Sequence, residues 1–214
     1  MVKGSYEVVV FDFDGTLFDT FPGFQRAMKK LAGPFRYRSI TLAEGEALRH
    51  QTPEEILRVL EIAPWKVPLL AWAVRRELSR EIDTIDCFSG IPEVLTTLRR
   101  RIPVLAIATS NSARNVHRLL QRKQLDFFNH TICGIGLSGK AGRLQALVRQ
   151  LRVSPGAVLY VGDEVRDLQA ARQVGMAAGM VTWGYNKGGR LARENPDYLF
   201  HTPAQILDGL FPSG

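Results

Sequence analysis

Cysteine is nearly absent. The 214 residues hold two, Cys87 and Cys133, far apart and in no ligand-like spacing, which excludes a disulfide framework and a thiolate metal centre. Both read as buried small hydrophobes. His50, His117, His130 and His201 form no cluster at metal spacing either. No apolar run approaches the roughly 18 residues that a membrane span needs, and the N-terminus carries no charged-then-apolar leader. A cytoplasmic protein without membrane contact is the expectation. Acids are missing from one region: residues 94–157 carry eleven Lys or Arg (Arg99, Arg100, Arg101, Arg114, Arg118, Arg122, Lys123, Lys140, Arg143, Arg149, Arg152) against a single acid, Asp126. These cations fall on the polar faces of amphipathic stretches and read as solvated surface, with a docking face for an acidic partner or a field steering anionic substrates as the alternative. No aromatic residues interleave with them as a nucleic-acid platform requires, so nucleic acid is not expected as a partner.

What is present is an ordinary globular composition, 45% hydrophobic and 23% charged, suited to one domain or a core with a modest insertion. The apolar run Val8–Phe11 reads as a fully buried strand, and it ends in Asp12 and Asp14, followed by a turn at Gly15. Side chains alternate along extended chain, so both carboxylates point the same way. Two ionised carboxylates that close repel unless a cation or a shared proton compensates.

After Thr20 the strands stop. Residues 21–31, 42–49, 53–62 and 65–82 read as helices, with Thr52-Pro53-Glu54-Glu55 as a capped helix start. Val67, Leu70, Val74, Leu78 and Ile82 recur at helical spacing, and Trp65 and Trp72 are expected in the core of this unit. From Gly90 a βα alternation takes over, with strands expected at residues 104–108, 131–133, 158–161 and 178–181. The fold class is α/β: a parallel sheet with helices on both faces, residues 1–19 and 87–214, and an inserted all-helical unit, residues 20–86. There is no internal repeat and no low-complexity linker.

In an open parallel sheet, ligands bind beyond the carboxyl ends of the strands where strand order reverses. The residues just past the expected strands are Thr109-Ser110-Asn111, then a Gly-rich stretch over residues 134–139 followed by Lys140, then residues 162–167 with Asp163 and Asp167. Each strand end offers a group that phosphoryl transfer requires. Residues 183–186, WGYN, follow the last expected strand and are candidates for the pocket rim.

These segments resemble, in order, the four signatures of the haloacid dehalogenase superfamily: "DFDGTLFDT", "IATSN", "LSGKAGRL" and "VGDEVRD". The resemblance implies a Rossmann-like core, and the helical insert is similar to the small cap of the phosphoglycolate phosphatase-like branch. It implies Asp12 as nucleophile, forming an acyl phosphate, and Asp14 as general acid and base. Thr109 is the expected holder of a phosphate oxygen, with Ser110 the runner-up and Asn111 beside them. Lys140 would neutralise nucleophile and phosphoryl oxygens. Mg²⁺ is the implied cofactor, held by Asp12, Asp163 and the backbone carbonyl of Asp14, with Asp167 acting from behind. The implied reaction is Mg²⁺-dependent hydrolysis of a small phosphorylated metabolite, 2-phosphoglycolate first. A sugar-phosphate mutase, or a non-catalytic scaffold docking acidic partners through its basic half, are the alternatives. A dehalogenase is disfavoured because Asp14 supplies an acid that breaking a carbon–halogen bond does not require.

Overall fold

The computed structural model describes residues 6–136 and 139–212; Leu137 and Ser138 of the "LSGKAGRL" segment lie outside the described residues, as do both chain ends of the expected core. Strand β1, Val8–Phe11, lies inside a six-stranded, all-parallel sheet of order β3-β2-β1-β4-β5-β6. Four helices of the insert follow: α1 (Phe21–Phe35), α2 (Leu42–Leu48), α3 (Pro53–Val59) and α4 (Val67–Arg80). The chain then returns through α5 (Ile91–Arg101), β2 (Val104–Ala108), α6 (Ala113–Arg122), β3 (His130–Ile132), α7 (Lys140–Leu151), β4 (Val158–Gly162), α8 (Val165–Val174) and β5 (Ala177–Val181). It ends with α9 (Gly188–Ala192), β6 (Tyr198–Phe200) and α10 (Ala204–Leu210).

The unbroken apolar run of β1 is explained by its two covered faces. Val9 and Phe11 pack into one core with Ile91, Leu95 and Leu98 of α5 and Val116 and Leu119 of α6; Val8 and Val10 enter a second with Leu144 and Leu147 of α7 and Leu168 of α8. A strand buried on both sides cannot alternate apolar with polar. Its neighbours are in register, Val8 opposite Val104 on one edge and Val158 on the other. The strand order reverses there, with β2 and β3 to one side and β4 to the other, which sets the binding crevice at the carboxyl ends of β1 and β4.

The insert has its own core, built from Ala27, Leu31, Leu48, Leu60, Leu70, Ala73, Val74 and Leu78. Thr41 with Glu44 and Thr52 with Glu55 close reciprocal capping boxes at α2 and α3, the second as the sequence indicates. Helix α1 runs on to Phe35, past its expected end at residue 31. The expected helix 65–82 breaks into a 3-10 turn at Pro64–Lys66, α4, and a second turn at Ile82–Thr84. Pro68, which lacks a backbone donor, sits in the first turn of α4, where none is needed.

Three expectations require correction. Trp65 and Trp72 are 80% and 53% exposed rather than in the insert's core, which Leu70, Val74 and Leu78 fill from the opposite face of α4. Cys87 and Cys133 are half-buried. The sheet does not end at β5: a sixth strand, β6, pairs with it through Met180 opposite Leu199. Part of the basic surplus also has a structural use. Arg122 of α6 donates to the carbonyls of Ile82, Asp83 and Ile85, Arg118 pairs with Asp83, and Lys123 pairs with Asp86, so α6 grips the chain where it returns from the insert. Among the described residues no helix is long and apolar enough to cross a membrane.

The placement of the insert's core is testable by denaturant melts. Leu70→Ala should cost about 2–5 kcal/mol, whereas Trp65→Ala, at an exposed site, should stay within about 0.5 kcal/mol. A larger loss for Trp65→Ala than for Leu70→Ala would invert the assignment.

Candidate active site

Register brings the acids together. Phe11 pairs with Val161, so the residues that follow, Asp12 on one strand and Gly162-Asp163 on the other, meet at adjacent strand ends. Lys140, the first residue of α7, reaches back to them. Its Nζ lies 2.7 Å from Asp12 Oδ2, 2.5 Å from Asp167 Oδ1 and 2.9 Å from the Tyr160 hydroxyl, all buried. Asp167 has no spare oxygen, because its Oδ2 accepts the backbone N–H of Asp163 (3.2 Å) and Glu164 (3.0 Å). It therefore anchors Lys140 and the turn after β4 together.

Asp163 is fully buried and, among the described residues, touches no cation. Thr16 Oγ1 donates to its Oδ1 at 2.7 Å and the Tyr185 N–H to its Oδ2 at 2.7 Å. Two glycines make room for it. A Cβ at Gly15, whose φ is +78°, would lie 2.3 Å from Asp163 Oδ2, and one at Gly184 would lie 2.3 Å from Asp163 Cβ.

Oxygens of Asp12, Asp163 and Asp167 all lie within 4.8 Å of one another. Three buried carboxylates against Lys140 leave excess negative charge, and the donor set is entirely hard oxygen. That fits a small divalent cation that takes one or two carboxylates. Asp12 accepts from the Phe13 N–H and Lys140, and Asp163 from Thr16 and Tyr185, one bond to each oxygen, whereas Asp167 accepts three.

Asp14 has different company. Asn111 Nδ2 donates to its Oδ1 at 2.9 Å, and the buried Thr109 hydroxyl lies 3.4 Å from its Oδ2. Of the two candidate hydroxyls, Thr109 faces this site; Ser110 makes neither contact. The cap of α6 is Ser112, which accepts the Asn115 N–H, so Thr109 is free of that duty. Asn115 in turn donates to Asn111 Oδ1 (3.0 Å) and to Ser79 Oγ of the insert (2.8 Å).

Burial pushes the Asp12 carboxyl up to about 7, with the nearby Lys140 charge pulling it down and Asp167 adding to the rise. Burial likewise raises Asp14, against hydrogen bonds from Asn111, Thr20 and Thr109. Asp163 goes up well beyond the carboxylate range, through burial and the charges of Glu164, Asp167 and Asp12. Burial opposes ionisation of Asp167 too, but Lys140 and Arg166 overcome it and hold that carboxyl below its ordinary value. Burial disfavours the Lys140 cation, yet Asp12 and Asp167 together keep it charged.

All the sequence candidates reach one crevice except Ser110. The chain reading missed Tyr160, Thr16 and Arg49. Tyr160 is the lone hydroxyl in the aliphatic run VLYVG, a polar group in a doubly buried strand that had to find a partner. Arg49 carried no such signal: its contacts are to backbone carbonyls of residues 183–185, near the expected pocket rim.

With that geometry in place, comparison with known proteins is informative. A family model described as "Haloacid dehalogenase-like hydrolase" matches residues 9–181. A phosphoglycolate phosphatase from Synechococcus elongatus is 36% identical over 205 residues, covering 95% of this chain and 97% of the relative. Among solved structures, a haloacid dehalogenase-like family hydrolase from Streptococcus pneumoniae superposes with a TM-score of 0.79 at 21% identity, covering 96% of this chain and 98% of its own. CbbY from Rhodobacter sphaeroides in complex with phosphate superposes with a TM-score of 0.72 at 23% identity, covering 96% and 99%. The two structures share the fold.

The acid cluster predicts an unusual pH response. A carboxyl raised in the fold contributes stability that is complete below its unfolded pKa, about 4, and is lost as pH climbs through the folded value; for Asp12 that window ends near 7. Asp12→Asn removes this loss. Its melting temperature in EDTA, relative to wild type, should therefore increase from pH 5 to pH 8. A difference constant across that range would mean that Asp12 is not held above its ordinary pKa.

Proposed function

The chain belongs to the phosphoglycolate phosphatase-like branch of the haloacid dehalogenase-like hydrolases and is a phosphoric monoester hydrolase of that family; we propose that it works through an aspartyl phosphate on Asp12, depends on Mg²⁺, and takes 2-phosphoglycolate as substrate. The observation that carries this reading is the Lys140 ammonium held between Asp12 and Asp167, with the uncompensated Asp163 carboxylate beside them. The name of the Synechococcus elongatus relative supports the choice of substrate.

In the proposed cycle, the Asp12 carboxylate attacks phosphorus in line and the ester P–O bond breaks. Asp14 gives its proton to the departing alkoxide. It then takes a proton from the water that attacks the acyl phosphate, releasing inorganic phosphate and regenerating Asp12. The raised pKa of Asp14, caused first by burial, suits a group that must hold a proton. The Thr109 hydroxyl and Asn111 amide are the proposed phosphoryl-oxygen holders, and Lys140 offsets the charge of the transferring group. Asp12, Asp163 and the backbone carbonyl of Asp14 would hold Mg²⁺, which would supply charge to offset the repulsion between nucleophile and phosphoryl group. Asp167 serves by holding Lys140. We assign residues 20–86 as a cap that excludes water and selects the leaving group. Two free thiols support a reducing compartment, the cytoplasm.

Phosphate release from a panel of phosphorylated metabolites, with Mg²⁺ or EDTA, tests the proposal. Turnover should be greatest with 2-phosphoglycolate, require the metal, and vanish in Asp12→Asn while that variant stays folded. A preference for a hexose phosphate would replace the substrate, and activity retained in Asp12→Asn would remove the nucleophile. Mg²⁺ should also raise the melting point of wild type, by the equivalent of about 2.7 kcal/mol at 100 times its dissociation constant. No shift at millimolar Mg²⁺ would mean that the folded protein does not bind the ion in this range.

A further inference from the structure

Arg49 follows the last residue of α2 and is the point where the insert grips the core. Its side chain is 10% exposed. Nε donates to the Tyr185 carbonyl at 3.2 Å, Nη2 to the carbonyls of Trp183 (3.2 Å) and Gly184, and Nη1 to Glu46 Oε2 at 2.7 Å, while the guanidinium lies over the Phe21 ring, 4.5 Å from its centroid. Its own carbonyl accepts the Lys187 N–H at 3.1 Å, and Lys187 Nζ reaches Glu46. Three successive carbonyls on one side chain require a curled loop, because carbonyls in extended chain alternate in direction. Only a planar fork with several donors can serve them together.

The other side of that loop holds Asp163. The Tyr185 N–H donates to Asp163 Oδ2 at 2.7 Å, and the Asn186 N–H to the Asp163 carbonyl at 3.3 Å. The second donor to the same carboxylate, the Thr16 hydroxyl, belongs to a turn whose carbonyl accepts Trp183 Nε1 at 3.1 Å. Both donors that orient the Asp163 carboxylate are thus fixed by the segment on which Arg49 closes. Gly184 packs against Asp163 so closely that a Cβ there would lie 2.3 Å from Asp163 Cβ.

We propose that Arg49 is a positioning residue that ties the seating of the helical insert to the orientation of Asp163, so that the metal pocket is complete only when the insert is docked on the core. The proposal rests on the metal-dependent phosphatase reading and adds to it a coupling between insert and metal site. With the insert lifted, the carbonyls of residues 183–185 lose their common donor, the loop relaxes, and Asp163 loses the fixed Tyr185 amide.

The test compares Arg49→Met, which keeps a stem to pack on Phe21, with Arg49→Lys, which keeps the charge but not the fork. Mg²⁺ affinity, read by thermal shift without substrate, should weaken about 10-fold in Arg49→Met and by less in Arg49→Lys. The Mg²⁺ activation constant should rise in parallel, with kcat recovering at excess Mg²⁺ and substrate KM at saturating metal unchanged. Hydrogen exchange at the Tyr185 amide should be faster in Arg49→Met, a readout that needs neither metal nor turnover. Unchanged Mg²⁺ affinity in a folded variant would overturn the proposal. So would a raised KM with normal metal dependence, which would make Arg49 a substrate contact. Should Arg49→Met fail to fold, Arg49→Lys is read by the same criteria. Wild type that neither binds Mg²⁺ nor releases phosphate would instead overturn the phosphatase reading, leaving the Tyr185 exchange rate to decide the coupling.

Discussion

Carboxylate crowding at the ends of β1 and β4 is the constraint to which the rest of the structure answers. Each buried carboxylate costs several kcal/mol in lost hydration unless a partner compensates. The in-register pairing of Phe11 with Val161 leaves no way to separate Asp12 from Asp163. Lys140, the first residue of α7, compensates two acids at once. Tyr160, opposite Val10 in the sheet, holds the third position around the ammonium. Among the described residues, Asp163 has no cation of the protein's own beside it, the arrangement expected where a metal ion supplies the missing charge.

The seams between insert and core obey a related rule. Two arginines, one from each side, each satisfy three backbone carbonyls of the opposite unit: Arg122 of α6 takes those of Ile82, Asp83 and Ile85, and Arg49 of the insert takes those of Trp183, Gly184 and Tyr185. Irregular backbone packed at a junction has polar groups with no ladder to join, and a guanidinium answers several of them without adding a carboxylate to a crowded region. Much of the positive charge that reads as a possible docking face is therefore engaged within the chain. Arg99 and Arg101 add to this, lying over the rings of Phe127 and Phe211.

The chemistry was legible in the sequence because it is local. A strand ending in Asp12 and Asp14, hydroxyls after β2, a lysine after a Gly-rich stretch and acids after β4 each stand next to an apolar run that marks the strand. What escaped depends on contacts between distant segments. The three residues of β6 are too few to show a period and gain their hydrogen bonds from β5. Arg49 is one of many arginines until the loop at residues 183–185 is folded against it. Trp65 and Trp72 are another matter, since helical geometry already separates them from the core. At 3.6 residues per turn, Trp72 points about 200° away from both Leu70 and Val74 and shares a face with Trp65. Size and hydrophobicity argued for burial, but angular position was the stronger evidence.

Asp12 and Asp14 are two residues apart on the same strand end, and their surroundings divide them. Asp12 leans on the Lys140 ammonium, which pulls against the rise that burial imposes on its carboxyl. Asp14 touches no cation directly; an amide and a hydroxyl are its nearest donors, and burial keeps it inclined to retain a proton. Two identical side chains thus meet different surroundings, which suits the proposed division between a charged nucleophile and a proton carrier. Asp14 is wired to the insert through Asn111, Asn115 and Ser79, and Asp163 through Tyr185 and Arg49. The proposed proton carrier and the proposed metal ligand thus each have their own line of contacts to the insert.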